Sequence, residues 1–366
     1  MSTFFSRVDA AQFQEALSNV LRSATKRSRT IPVLEEALVE FADDRCTLTC
    51  TDLNQWCRTT IPASGGEFSF VFTRSKSVLA ACQHFSGELE FTYTTIPTKR
   101  QSDPEGEICI CDGEHGLRRL TYRASDFPEL SEKPMEHHYP VNAERLLERF
   151  KRIKYAVSQN DTRPDLCCIE FLDSRIVALD GYRLALSSDP EFTVEKPFFI
   201  PPEAMASLQM FKGKDCMISV GKEWATIGNE TLRVYTRIPV NHRFDVDAAI
   251  PTKFEQEYPV PVDALWEEVK FLSGFLTSKE RKPIRFDGQT LALTTSEGSY
   301  TSKIGLPSIS ARGFDAKYLL EGLGQFKAKK ANAVTIKVGH PHAPIILTDG
   351  ETDLAMVLPV RLKEAA

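Results

Sequence analysis

Residues 141–186 read VNAERLLERFKRIKYAVSQNDTRPDLCCIEFLDSRIVALDGYRLAL, and the pattern inside this stretch decides the fold. Leu146, Leu147, Phe150, Ile153 and Tyr155 recur at roughly helical spacing, while Arg145, Arg149, Lys151, Arg152 and Lys154 take the positions between them. The spacing predicts an amphipathic helix with one core face and one strongly positive face. A polar loop ending at Arg163-Pro164 follows, and then two strands joined by a tight turn at Asp173-Ser174.

The chain contains this unit again on either side, which makes an internal repeat the organising feature. Residues 9–22, DAAQFQEALSNVLR, put Phe13, Ala16, Leu17, Val20 and Leu21 on one stripe. Residues 262–276, VDALWEEVKFLSGFL, do the same with Leu265, Trp266, Val269, Leu272 and Leu276. Each helix leads into a polar, mostly basic loop and a proline at the entry of a strand: Pro32, Pro164 and Pro283. A second helix recurs in each copy and ends on Phe85, Phe211 and Phe326. The strands after it alternate apolar and polar residues, as in LRVYTRI and VTIKV, which suits half-buried antiparallel sheet. The expectation is an α+β fold of three similar domains, residues 1–130, 135–250 and 251–366, each of two βαβββ units with helices on one face of antiparallel sheets. Proline-rich, charged stretches at 126–140 and 241–259 have the composition of linkers.

A chain of 366 residues with 42% hydrophobic and 26% charged residues has ordinary globular composition and length for two or three domains. No apolar run approaches the roughly 18 residues needed to span a bilayer. The opening MSTFFSRVDAAQF lacks the charged-then-apolar order of a signal peptide, so a cytoplasmic protein without a membrane partner is expected. The nine cysteines are an odd number. Cys46, Cys50, Cys82, Cys109, Cys111, Cys167, Cys168 and Cys216 lie in or beside apolar runs with no C-x-x-C pair, which predicts reduced, buried thiols and no disulfide or zinc framework.

Phosphate-loop, dinucleotide, zincin and nucleophile-elbow motifs are absent. His137-His138 and His340-x-His342 would need other ligands to hold a metal. No catalytic residue, cofactor or metal is therefore expected. The net charge of −5 argues against nucleic-acid binding over the whole surface but allows a basic patch on one face.

Three motifs carry a resemblance to a known family: ASDFPEL at 124–130, ALDGYRLAL at 178–186 and AMVLPVRL at 355–362. In this order, and together with the repeat, they make nearly the whole chain similar to the bacterial DNA polymerase III beta sliding clamps. The resemblance implies three DNA clamp domains per chain and a ring-shaped, head-to-tail homodimer around double-stranded DNA, with helices lining the hole. Such a clamp has no catalytic residues. It tethers the DNA polymerase III catalytic subunit for processivity, and docks the clamp loader and repair proteins through a hydrophobic peptide pocket. Carried over, that pocket would use Leu166, Leu179, Gly181, Tyr182, Arg183 and Leu184, with Met356, Val357, Leu358, Pro359, Val360 and Arg361. Burying two large apolar side chains of a partner would contribute roughly 8–12 kcal/mol before ordering costs, leaving a micromolar, exchangeable contact. The ring joint would set Leu117 and Arg119 against Phe275 and Leu276 of the other chain.

B-DNA carries about one negative charge per 1.7 Å of axis, so an encircling protein needs positive charge on its inner face only. The first copy offers Arg22, Lys26, Arg27, Arg29, Arg74 and Lys76, and the second Arg145, Arg149, Arg152 and Arg163. The third offers Lys279, Arg281 and Lys282. No aromatic platform accompanies them, so contacts to phosphates without sequence preference are expected. Solvated helix faces account for many such residues as well; recurrence at equivalent loop points favours the DNA reading for the loop residues. The third helix, with Asp263, Glu267 and Glu268 against Lys270, departs from a positive lining.

The family pattern is also broken at 241–251, NHRFDVDAAIP, where no proline follows Phe244 and Ala248 stands where a basic residue is common. Arg281 replaces an aromatic at the pocket rim, so a pocket of altered shape is expected. Pro359 blocks a ladder hydrogen bond, which predicts that the C-terminal segment lies at a sheet edge. A monomeric DNA-associated scaffold and a metal-dependent nuclease using clustered carboxylates are the rival readings.

Overall fold

The computed structural model describes residues 2–24, 30–97, 105–131, 134–160, 162–239, 244–276 and 282–362. The first copy runs β1 (Thr3–Asp9), α1 (Ala10–Val20), β2 (Leu38–Ala42), β3 (Arg45–Thr51), β4 (Gln55–Pro62), β5 (Ser64–Gly65), β6 (Phe68–Phe72), α2 (Ser75–Cys82), β7 (Glu88–Thr95), β8 (Gly106–Cys111) and β9 (Gly116–Tyr122). The second runs β10 (His137–Val141), α3 (Ala143–Ile153), β11 (Ile169–Leu172), β12 (Arg175–Leu179), β13 (Arg183–Ser188), β14 (Phe198–Ile200), α4 (Pro202–Ala206), β15 (Cys216–Val220), β16 (Trp224–Gly228) and β17 (Leu232–Arg237). After a helical turn, α5 (Val246–Ala249), the third runs β18 (Gln256–Pro261), α6 (Val262–Ser273), β19 (Pro283–Phe286), β20 (Thr290–Thr294), β21 (Ser299–Lys303), β22 (Arg312–Asp315), α7 (Ala316–Ala328), β23 (Ala333–Val338), β24 (Ile345–Thr348) and β25 (Asp353–Val357). Leaving aside the two-residue β5 and the turn α5, the described elements spell βαβββ six times over.

Local chemistry sets these elements. Asp9 caps α1 by accepting from the Gln12 N–H at 2.9 Å, and Ala10, Phe13, Ala16, Leu17 and Val20 form its buried stripe. Asp315 caps α7 in the same way, accepting from Lys317 and Tyr318. Pro32 and Pro164 open short 3-10 turns and only Pro283 opens a strand, because the first two precede chain that must fold back before pairing. The expected linkers were drawn too wide: β10 and β18 occupy their C-terminal ends.

The described residues form two compact units. Met1–Glu144 with Ala206–Ile238 makes the first, built on an antiparallel thirteen-stranded sheet in the order β10-β15-β16-β17-β4-β3-β2-β6-β9-β8-β7-β1-β5. Phe13, Phe41, Phe68, Phe70, Phe72, Phe91 and Tyr93 interlock in its core, with ring centroids 4.7–6.5 Å apart. Arg145–Met205 with Pro239–Ala366 makes the second, with an eight-stranded sheet β14-β11-β12-β13-β25-β24-β23-β18 and a four-stranded sheet β21-β20-β19-β22. Helices α6 and α7 pack together over a core that includes Leu265, Val269, Leu272, Phe314, Leu323, Phe326 and Val357.

One ladder in each unit joins consecutive repeats by the same rule. The last strand of a repeat pairs with the fourth strand of the repeat before it: β17 with β4, from Leu232↔Thr59 to Thr236↔Gln55, and β25 with β13, from Arg183↔Val357 to Ser187↔Asp353. β25 is also paired with β24, so it lies inside its sheet. That corrects the edge expected from Pro359, because the strand ends before the proline. Besides the terminal strands β5, β10, β14, β18 and β22, two strands at positions equivalent to these seams have no seam partner from another repeat among the described residues. β9 pairs along β8 throughout but meets β6 only at Val71↔Tyr122 and Phe72↔Thr121, and β21 pairs with β20 alone.

All nine cysteines are free, and Cys46, Cys50, Cys57, Cys82, Cys168 and Cys216 are buried. Burial pushes the thiols of Cys57, Cys82, Cys168 and Cys216 up to about 12. Among the described residues no helix is long and apolar enough to cross a membrane.

Ion pairs lock the β13–β25 ladder from the helix side. Arg152 Nε donates to Asp353 Oδ2 at 2.9 Å, and Asp353 Oδ1 accepts from the Ser187 hydroxyl at 2.8 Å. Arg183 pairs with Glu321, and Gln325 Nε2 donates to the Leu186 carbonyl at 2.9 Å. Asp353 is wholly enclosed, so Asp353→Ala, which strands the Arg152 charge, is expected to cost roughly 3–5 kcal/mol of unfolding free energy in urea titration. A loss under about 1 kcal/mol would mean that the ladder holds without the pair.

Candidate functional site

The two faces of the eight-stranded sheet divide its side chains by strand alternation. Val177 and Leu179 of β12, Leu184 and Leu186 of β13, and Met356 of β25 point to one face, where they meet Leu166, Leu172, Val246 and Ile346 in a single apolar cluster. Leu166 is delivered by the 3-10 turn that Pro164 opens. The chain reverses before β13 at Gly181, whose φ of +89° suits glycine, and Asp180 Oδ1 caps the turn by accepting from the Tyr182 and Arg183 N–H groups at 2.9 and 3.1 Å.

Over this buried floor stands an exposed rim. Tyr182 is 62% exposed, and its carbonyl accepts from the Leu358 N–H at 2.9 Å, which fixes Leu358 beside it. Pro359 leads on to the exposed Val360, whose N–H donates to the Gly313 carbonyl at 2.8 Å. A Cβ on residue 313 would lie 2.6 Å from the Val360 carbonyl oxygen, so only glycine lets the C-terminal segment lie this close. Enclosed leucines and a methionine beneath an apolar rim make a seat for a short hydrophobic segment.

Two expected pocket residues lie elsewhere. Val357 alternates to the other face and is buried in the core under α6 and α7. Arg183 also turns away: its guanidinium bonds Asp180 Oδ2 at 2.9 Å, Glu321 and the Tyr155 carbonyl at 2.6 Å, and lies 4.4 Å from the Tyr318 ring centroid. Burial would lower its pKa, but Glu321 and Asp180 hold it above the usual value. Arg361 is exposed.

The basic residues divide in the same way. Arg149 is 4% exposed, not on a positive outer face: it bonds Asp189 at 3.3 Å and the Ser187 and Ser174 carbonyls at 2.6 and 3.2 Å. Burial pushes its guanidinium down to about 10, so it is still charged at neutral pH and is matched by carboxylates inside the unit. Arg152 is committed to Asp353, and Arg145 to Asp189 at 2.7 Å and to Glu191. Lys151 and Lys154 are exposed, as is Arg145, whose guanidinium is nevertheless paired with Asp189 and Glu191. Helical spacing alone gives five basic positions, and only the packing separates those that reach inward across the sheet.

Arg22, Arg74, Lys76, Arg163 and Lys282 are exposed. Lys26, Arg27, Arg29, Lys279 and Arg281 lie outside the described residues. Of the candidate joint residues, Arg119 and Phe275 are exposed, and Leu117 and Leu276 half-buried.

No family model matches the chain. The chain is similar to the beta sliding clamp of Chlamydia trachomatis, at 24% identity over 384 residues covering 100% of this chain and 88% of that protein. The DNA polymerase sliding clamp of Caulobacter crescentus superposes with a TM-score of 0.84 at 18% identity, over 98% of this chain and 100% of that one. The DNA polymerase III beta subunit of Pseudomonas aeruginosa gives 0.81 at 17% identity, over 99% and 100%. A doubled βαβββ unit in three copies, with ladders running from copy to copy, defines the DNA-clamp fold. Within it, the chain is similar over its whole length to bacterial beta sliding clamps.

One part of the site escaped the sequence reading. Val246 is fully buried in the apolar cluster, and Phe244, Ile250 and Phe254 pack on it. Asp245, in place of a proline, caps α5 by accepting from the Ala248 N–H at 3.0 Å. Asp247 takes both Arg175 guanidinium nitrogens, at 2.5 and 3.0 Å. The signal was present in the D-x-D spacing of 245–247, but its partner Arg175 is distant in sequence. Asp247→Asn is expected to speed amide hydrogen exchange across residues 246–250 several-fold, since a largely exposed pair is worth about 0.2–1 kcal/mol. Unchanged exchange would show that burial of Val246 alone holds the turn.

Proposed function

We propose that this chain is a DNA sliding clamp: a non-catalytic, cytoplasmic processivity factor that encircles duplex DNA as a head-to-tail homodimer and tethers the replicative polymerase. The observation that carries this reading is the seam rule. In both seams the last strand of a repeat pairs with the fourth strand of the preceding repeat, and the two strands that this rule leaves over, β9 and β21, are the two that such a joint needs. A second chain supplies both partners, and closure pairs β9 of each chain with β21 of the other. Residues 1–130, 135–250 and 251–366 are then the three clamp domains of each chain, and Leu117, Arg119, Phe275 and Leu276 meet at the joints.

DNA is held without sequence preference by Arg22, Arg74, Lys76, Arg163 and Lys282, with Lys151 and Lys154 in place of the enclosed Arg149 and Arg152, and by Lys26, Arg27, Arg29, Lys279 and Arg281. The polymerase catalytic subunit, the clamp loader and repair proteins dock by short apolar motifs over Leu166, Leu179, Leu184 and Met356, with Tyr182, Leu358, Pro359 and Val360 as the rim. A seat dominated by leucine floor and aromatic rim favours bulky aliphatic and aromatic side chains in the docked motif.

Met356→Ala with Leu358→Ala is expected to leave the dimer intact and to remove stimulation of the polymerase on primed template. Loss of dimerisation by this pair would move the docking site elsewhere. Loaded protein is expected to stay on nicked circular DNA and to leave when the circle is cut, as gel filtration in moderate salt would read. Equal retention on both forms would mean ordinary affinity and no enclosure.

A further inference from the structure

Both seams obey one pairing rule, yet corresponding faces of the two ladders differ in chemistry. The turns before β4 and β13 are alike: the Asp52 N–H donates to the Gln55 carbonyl, and the Asp180 N–H to the Arg183 carbonyl. Counting from these turns, Arg58 stands where Leu186 stands. Across the ladders Arg58 faces Arg233, and Leu186 faces Leu354. Where the second seam carries leucines, the first carries arginines.

Around those arginines the neighbouring strands β17, β4, β3 and β2 enclose a hollow of about 510 Å³. Its floor is a row that crosses all four strands. Glu40 faces Thr47, Thr47 faces Thr60 with the two hydroxyl oxygens 3.1 Å apart, and the Thr60 N–H donates to the Thr231 carbonyl at 2.8 Å. Arg45 flanks this row on one side, and Arg58 and Arg233 flank it on the other. Gly228 faces Arg233 between β16 and β17, and a Cβ there would lie 2.9 Å from the Arg233 Cγ, so glycine lets the arginine stem lie down on the sheet. The Arg233 Nε then donates to the Asn229 carbonyl at 3.2 Å. Arg45 and Arg233 are both exposed, and neither forms an ion pair among the described residues.

We infer that this trough binds a short acidic peptide segment, with consecutive aspartates or glutamates laid across the four strands. Such a trough goes beyond the clamp reading and does not depend on it. Three strand spacings of about 4.8 Å make a length of about 14 Å, which holds about four residues of extended chain. Side chains of an extended segment point to alternate sides, so its carboxylates reach Arg45 on one wall and Arg58 and Arg233 on the other. Each guanidinium can offer a carboxylate two parallel bonds. The threonine hydroxyls of the floor serve the main-chain groups of the segment. A nucleic-acid strand fits less well. Glu40 at one end and Glu230 near the other repel a continuous phosphate chain, and the nearest rings, Trp56 and Tyr235, are each 5% exposed and offer no stacking surface.

The test follows the anisotropy of a fluorescein-labelled peptide of four consecutive glutamates between glycines, titrated with the full chain at low salt. The wild-type chain is expected to bind this peptide and not its glutamine counterpart. Arg233→Gln is expected to weaken binding about tenfold, Arg233→Lys to recover part of that loss, and Arg45→Gln with Arg233→Gln to remove binding. Glu230→Gln is expected to tighten it a few-fold. A wild-type chain that does not distinguish the two peptides, or a double variant that binds as tightly as wild type, overturns the site. An unlabelled oligothymidine that displaces the peptide from the wild-type chain and loses affinity in the double variant overturns the ligand class, and makes the trough a groove for a phosphate chain.

Discussion

Backbone pairing between consecutive repeats is the constraint on which the rest depends. A strand with one unpaired edge presents a row of amide and carbonyl groups that must find partners or stay wet. Five residue pairs across β13 and β25, and five across β17 and β4, meet that demand inside each unit. The apolar floor exists because the β13–β25 ladder puts Leu184 and Leu186 beside Met356; neither repeat could form it alone. The buried charges follow the same ladder, since Arg152 and Asp353 are brought together by strands and helices of different repeats. One set of main-chain bonds therefore sets the apolar floor on one face and the ion-pair lock on the other.

The distribution of arginine follows from this. A guanidinium reaches far, offers several donors, and keeps its charge even where burial lowers its pKa, as at Arg149. It suits the job of tying a helix to a strand from another repeat. Lysine's single ammonium head does this less well and stays at the surface, as at Lys151 and Lys154. The positive field available to a polyanion on this helix is thus much smaller than its composition suggests. In the third repeat the trend goes further: Lys327 pairs with Asp263 at 2.8 Å and covers the Trp266 ring at 4.1 Å.

Much of the fold could be read in the sequence because the repeat states each element three times. Apolar spacing located α1, α3 and α6 to within a few residues, and the cap residues Asp9 and Asp315 agree with it. What could not be read was which face of a strand a residue takes when both faces are covered. Val357 and Met356 are both buried, and nothing local distinguishes the side under the helices from the side under the 244–254 segment. The same limit applies to Arg149, whose carboxylate Asp189 is forty residues on. Pro359 misled for a simpler reason, since the ladder stops two residues before it and the missing N–H is never needed.

The enclosed thiols have a consequence of their own. A thiol held near 12 keeps only about one part in a hundred thousand as thiolate at neutral pH, and the thiolate is the reactive form. Peroxide or alkylating agents would therefore spend themselves on Cys109, Cys111 and Cys167, which are only partly covered, while the inner sulfurs stay silent until the chain opens. The pattern of labelled cysteines thus works as an internal gauge of how far a population of molecules has come apart.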